Sequence, residues 1–133
     1  MQNMNGKTAL GLDNNIGALI CYVGNLVCAL GLIYSIIVIV TDKTNKLPRF
    51  HAFQSVLMSV AGLIIGLPCY FIIFALAFMN STITSLLAGL LGLVLTVVGL
   101  ALLVFTVIAA IKAFNGELYK VPVIGNFADK YSS

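Results

Sequence analysis

From Phe50 through Ile111 the chain carries no Asp, Glu, Lys or Arg, and nearly every residue in that stretch is apolar. A charge-free run of that length is too long for a soluble core, so hydrocarbon must be its solvent. The rest of the chain agrees, with only 8% of residues charged and 61% hydrophobic. An all-α, polytopic integral membrane protein is the fold class that follows.

Three segments, 16–40, 50–79 and 85–114, each exceed the roughly 20 residues needed to cross a ~30 Å hydrocarbon core. They divide the chain into an N-terminal tail 1–15, a three-helix transmembrane domain 16–114 and a C-terminal interfacial tail 115–133. Segment 16–40 is too long for a secretory signal and lacks a leading basic cluster, so a permanent helix is expected there. Lys43, Lys46 and Arg49 lie between the first two spans, and Lys112, Lys120 and Lys130 follow the third. Basic residues resist translocation, so these six mark the cytoplasmic face. Three crossings then put the N-terminus outside and the C-terminus inside.

In lipid, helices associate through close backbone approach rather than apolar attraction. The first span offers Gly17, Cys21, Gly24, Cys28, Gly31 and Ser35 at alternating spacings of four and three. The second has Ala52, Ser55, Ser59, Gly62, Gly66 and Cys69, and the third Ser85, Gly89, Gly92, Thr96, Gly99, Thr106 and Ala110. That rhythm is the period of left-handed helix packing. The seams face one another in a compact bundle, or one of them faces another protein.

Two interior features modify this picture. Pro68 removes a backbone hydrogen bond deep in the second span and predicts a kink near Gly66 to Cys69. Asn25, near the middle of the first span, needs a partner in hydrocarbon. Ser59, Thr96 or a backbone carbonyl would make it polar glue between helices, and a pore lining is the alternative.

Catalysis is not expected. General acid–base chemistry needs titratable groups gathered in a cleft, yet the single His51 opens the second span and Asp13, Asp42, Glu117 and Asp129 lie in tails and loops. No metal-ligand spacing, phosphate loop or nucleic-acid motif is present. No cofactor is expected from the residues, although an apolar face can hold a lipid tail, a quinone or a pigment without leaving a motif.

The cytoplasmic connection is the most informative local segment. Lys43, Lys46 and Arg49 suit anionic headgroups, Pro48 suits a first helical turn, and His51 with Gln54 or Ser55 share one side of the entering helix. His51 reads as a hydrogen-bonded interface residue, with metal or pigment ligation as the alternative. The run Arg49-Phe50-His51-Ala52-Phe53-Gln54-Ser55 enters a span, and Lys112-Ala113-Phe114-Asn115-Gly116-Glu117-Leu118-Tyr119-Lys120-Val121-Pro122-Val123-Ile124-Gly125 leaves the last one. In this order the chain resembles the bacterial Tic-twenty-like membrane proteins of unassigned function, distantly similar to the twenty-kilodalton component of the chloroplast inner-envelope translocon. The resemblance implies residence in a bacterial cytoplasmic membrane. The chloroplast relatives have four spans, where three are expected here.

Two function classes follow. One is a non-catalytic accessory or structural subunit whose lipid-like faces pack into a larger membrane complex, bioenergetic or photosynthetic. The other is a translocon-like or channel-forming homo-oligomer joined through the small-residue seams. The lack of a polar stripe along any span favours the first, since an aqueous pore needs hydrophilic walls. The expected partners are membrane lipids and such a complex, and no nucleic acid. In the tail, Val123, Phe127 and Tyr131 recur at one-turn spacing, which predicts a short interfacial helix.

Overall fold

A computed structural model describes residues 6–27, 29–43 and 45–132. Among them are five helices: α1 (Asn14–Val27), α2 (Leu30–Thr41), α3 (Lys46–Phe78), α4 (Thr82–Phe114) and α5 (Ile124–Ser132). The chain divides into two compact units. One holds residues up to Ser59 together with Phe105 onward, and the other is Val60–Val104. Helices α3 and α4 each contribute to both.

In the first unit the expected span 16–40 is two helices rather than one. At 1.5 Å per residue α1 and α2 are about 21 and 18 Å long, short of a ~30 Å crossing. The small-residue seam explains the reversal, because it closes on itself. A Cβ added to Gly24 would lie 2.6 Å from the Cα of Gly31, and one added to Gly31 would collide with the backbone nitrogen of Asn25. Only glycines allow these two backbones to meet so closely. Read along one helix the seam looks like a face for a second helix, whereas here its two halves serve each other. Cys21 of α1 and Val38 of α2 then pack with Ala52 of α3, and Tyr34 and Ile39 close over them.

The N-terminal residues are tied to the loop that follows α2. Asp42 accepts a hydrogen bond from the Ala9 amide (3.3 Å), and Asn45 Nδ2 donates to the Lys7 carbonyl (2.8 Å) and to Asp42 Oδ1 (3.0 Å). The expectation that the N-terminal tail and the 43–49 loop lie across the membrane from one another is thereby corrected.

Into this unit α3 sends its first turns, with Leu47, Phe50, His51, Ala52, Gln54, Ser55 and Met58 buried, and α4 its last, with Ala109, Ala110 and Ala113 buried. Helix α4 stops at Gly116, whose φ of 77° is the left-handed conformation that glycine adopts without penalty. The Gly116 amide donates to the Ala113 carbonyl and the Glu117 amide to that of Lys112, the pair of bonds that closes a Schellman cap. The chain then runs non-helically to α5, which buries Gly125, Ala128 and Ser132.

The second unit is the rest of α3 and α4, about twenty residues or ~30 Å of helix each, joined by a turn in which Asn80 has φ 50°. It carries no charged residue. Its apolar side chains point outward, with Phe71 72%, Phe78 74% and Ile83 71% exposed. A groove of about 190 Å³ runs between the helices, lined by Gly62, Gly66 and Tyr70 on one side and Val98, Gly99 and Leu102 on the other. Helix α3 continues unbroken through Pro68. The proline leaves the Ile64 carbonyl without its helical donor, but no interruption of the helix marks the expected kink.

Candidate functional site

The most ordered chemistry in the molecule lies in the first unit, where α1, α3 and the segment after α4 meet. His51 and Gln54 are three residues apart and so share one side of α3. Both are fully buried, as is Tyr22 of α1 at 1% exposure. Burial of this much polar surface is tolerated only when each group finds a partner.

The hydrogen-bond directions are fixed by the one group that cannot donate. His51 Nε2 lies 2.8 Å from the Glu117 carbonyl oxygen, so Nε2 carries the proton and donates. In the neutral ring Nδ1 is then an acceptor, and the Tyr22 hydroxyl at 2.8 Å donates to it. Gln54 Nε2 donates both to the Tyr22 oxygen (2.8 Å) and to the Tyr119 carbonyl (3.1 Å). Gln54 Oε1 accepts from the Val121 amide (3.0 Å). One glutamine thus pairs with the carbonyl of residue 119 and the amide of residue 121, as a neighbouring strand would. Two aromatic edges support the imidazole, Tyr22 at 5.5 Å and Phe50 at 5.0 Å between ring centroids.

A second polar set lies one turn along α3. Asn25 Nδ2 donates to Ser55 Oγ (2.7 Å) and Ser59 Oγ (3.0 Å). Ser55 in turn donates to the Cys21 carbonyl (2.7 Å) and Ser59 to the Ser55 carbonyl (3.0 Å). Together the two sets stitch α1 to α3 and α3 to the C-terminal segment. Every donor of His51 and Gln54 is committed, and neither side chain reaches solvent. The arrangement holds segments in place and offers no open acid, base or nucleophile.

Charged groups form the rim. Asp129 of α5 binds Lys46 at 3.0 Å and Lys120 at 2.8 Å, and hydrogen bonds from Lys120 and then Lys46 hold its carboxyl below the ordinary value of 3.8. Lys112 pairs with Glu117 at 2.9 Å. The Arg49 guanidinium lies 5.5 Å over the Phe53 ring, and its Nε is buried without a hydrogen-bond partner. Lys43 is exposed on the loop.

Of the residues the sequence nominates, the structure brings together His51, Gln54 and Asn25 with their partners, and Gly24 with Gly31. Gly17 lies against Thr8 and the Tyr34 hydroxyl. Cys28 lies outside the described residues. Gly62, Gly89, Gly92 and Gly99 are not brought against anything: a Cβ on any of them meets no described atom within 4 Å, and one on Gly66 meets only Tyr70 of its own helix. Sequence reasoning missed Tyr22 as the centre of the network and the backbone of residues 117–121 as its object. A tyrosine reads equally well as an interfacial anchor, and main-chain acceptors leave no residue-type signal.

Comparison with known proteins places the chain among membrane proteins of unassigned function. It is 32% identical over 127 residues to a UPF0132 membrane protein of Methanocaldococcus jannaschii, covering 96% of both chains. A second UPF0132 membrane protein of that organism is 31% identical over 123 residues, covering 92% of this chain and 73% of the relative. No solved structure matches. The likeness to Tic-twenty-like proteins stays a resemblance of motifs that these matches do not extend. The family match runs over residues 13–128, nearly the whole of the described structure, and on it the chain belongs to the MamF/MmsF family, the magnetosome magnetite crystal formation protein family.

Proposed function

We propose that this protein is a non-catalytic integral membrane subunit that packs its apolar hairpin into a larger membrane assembly while its polar unit sits at one membrane face. The observation that carries the reading is the second unit. It has no charge and its large side chains are exposed, so lipid or another protein must cover it. The family description concerns magnetite crystal formation. The relatives are described as membrane proteins, and membrane residence is the property carried across here.

The orientation that goes with this reading has the N-terminal tail, the 42–49 loop and the C-terminal segment on the cytoplasmic face. All seven basic residues belong to the first unit, and cytoplasmic segments retain Lys and Arg. On this reading α1 and α2 form a re-entrant hairpin, and α3 and α4 are the two crossings. Cysteine labelling tests it in a background lacking the three native cysteines. Lys7→Cys and Lys43→Cys should be shielded together from an impermeant reagent added outside intact cells, and Ser81→Cys should react.

A second reading has a specific observation behind it. The open glycines of the second unit would admit a close-packed helix from another copy, as small-residue faces do in lipid. Purification of the tagged protein from its native membrane in mild detergent separates the two. Stoichiometric co-migration with other subunits supports the accessory role, whereas migration as a small homo-oligomer overturns it in favour of self-assembly.

A further inference from the structure

Helix α5 presents a surface that the polar clamp does not use. Its buried side is Gly125, Ala128 and Ser132, and the fit is close: a Cβ on Gly125 would lie 2.5 Å from the Lys120 Cα. Asp129, held by Lys46 and Lys120, fixes the rotation of the helix. With its roll set by these contacts, Phe127 and Tyr131 emerge along one flank at 52% and 56% exposure, four residues apart and so one above the other. Val123, just before the helix, is also exposed, at 71%.

Val123 is also the strained residue of this region. It has φ 67°, a left-handed conformation that is an outlier for a β-branched side chain and natural for glycine or asparagine. An exposed valine there gains nothing from the protein interior, so the apolar side chain must find its return outside the fold.

We propose that the Phe127–Tyr131 flank of α5, with the exposed Val123 that precedes the helix, is a bilayer-interface anchor whose partner is the headgroup and upper acyl layer of the membrane. Three features favour lipid over a protein groove. The stripe follows directly on the last turn of α4, where Ile111 and Phe114 are 56% and 51% exposed, so it continues a surface already apolar at the end of a candidate crossing. Lys130 Nζ lies 5.9 Å over the Tyr131 ring, placing a cation at the rim of the stripe as amphipathic interfacial helices do. A nine-residue helix is too short to be stable alone, so its docking must precede and orient the insertion. The inference rests on membrane residence and is independent of any partner complex.

The chain contains no tryptophan, so a single substitution supplies a clean probe. Full-length Phe127→Trp and, separately, Tyr131→Trp are reconstituted into phosphatidylcholine–phosphatidylglycerol vesicles, with Leu93→Trp in the second unit as the control for insertion. An interfacial anchor should be quenched about twofold more strongly by bromines at shallow acyl positions than at deep ones, as expected for a face buried ~5–10 Å. Its emission should shift to the blue relative to free tryptophan. Aqueous iodide quenching Phe127→Trp freely while bromolipids do not would overturn the proposal, as would protection from both quenchers, which indicates a protein cover. If Leu93→Trp also escapes the bromolipids, the membrane reading itself fails. If only the α5 probes escape, the anchor alone is wrong. Tyr131→Trp gives the same discrimination should Phe127→Trp fail to fold.

Discussion

The hydroxyl of Tyr22 lies 2.8 Å from Nδ1 of His51 and 2.8 Å from Nε2 of Gln54, accepting from the amide while donating to the ring. Through that one oxygen α1 is connected to both residues that grip the C-terminal segment. Replacing it with apolar carbon keeps the ring and strips the bridge. Tyr22→Phe leaves His51 Nδ1 buried without a donor and one Gln54 proton without an acceptor. Unpaired buried groups cost about 1–3 kcal/mol each, so with two of them the variant should lose about 2–6 kcal/mol in denaturant unfolding in detergent. A loss too small to measure would mean that water enters the site and replaces the hydroxyl.

The two glycine sets should respond oppositely to the same substitution. At Gly24 an added Cβ meets the Gly31 backbone at 2.6 Å, and a backbone cannot swing aside as a side chain can. Gly24→Ala should therefore separate α1 from α2 and destabilise by at least 1–3 kcal/mol, the usual cost of overpacking. At Gly92 the added methyl meets nothing, and alanine is favoured over glycine within a helix by about 0.8–1 kcal/mol. Gly92→Ala should leave the monomer as stable or slightly more so. A strong loss at Gly92, measured in the native membrane but absent in detergent, would instead reveal a helix from another chain seated there.

The same contrast shows what could be read from residues alone. The apolar run and its two long helices were legible because hydrophobicity and length suffice to identify them, and the match of relatives described as membrane proteins agrees. The α1–α2 hairpin was not. Gly17, Gly24 and Gly31 repeat with the period of a helix whether they face a second helix or the other half of their own segment, and no proline marks the reversal. The C-terminal clamp was half legible. His51 and Gln54 advertise themselves as polar residues on one side of a buried turn, while their acceptors are carbonyls of Glu117 and Tyr119, whose side chains have no part in the contact.

Docking of α5 should weaken in acid through Asp129. Its carboxyl is held below 3.8 by Lys120 and Lys46, so the folded state binds its proton less readily than the unfolded one. The stabilisation is then complete above the ordinary carboxylate value and is lost as pH falls through the lowered one. Protection of the α5 amides, measured against their intrinsic exchange rates at each pH, should fall over that acid range in the native protein. In Asp129→Asn the protection should already be lower at neutral pH and should lack this acid step. An unchanged acid step in the variant would assign the transition to another group.

Val123→Gly isolates the strain that the interfacial anchor invokes. For a non-glycine residue the left-handed conformation costs about 1–2 kcal/mol, against about 0.5–1 kcal/mol of extra backbone entropy that glycine loses on folding. With the side chain 71% exposed, little packing is forfeited. The variant should therefore be more stable in detergent micelles, by up to about 1.5 kcal/mol on the same figures. In vesicles the gain should shrink or reverse, because the packed interface of a bilayer holds the valine side chain more firmly than the loose alkyl chains of a micelle, and glycine has no side chain for either to hold. Unfolding midpoints of the two proteins in micelles and in vesicles measure the difference directly. Equal gains in both media would show that the bilayer adds nothing to what Val123 finds in a micelle and would remove it from the anchor.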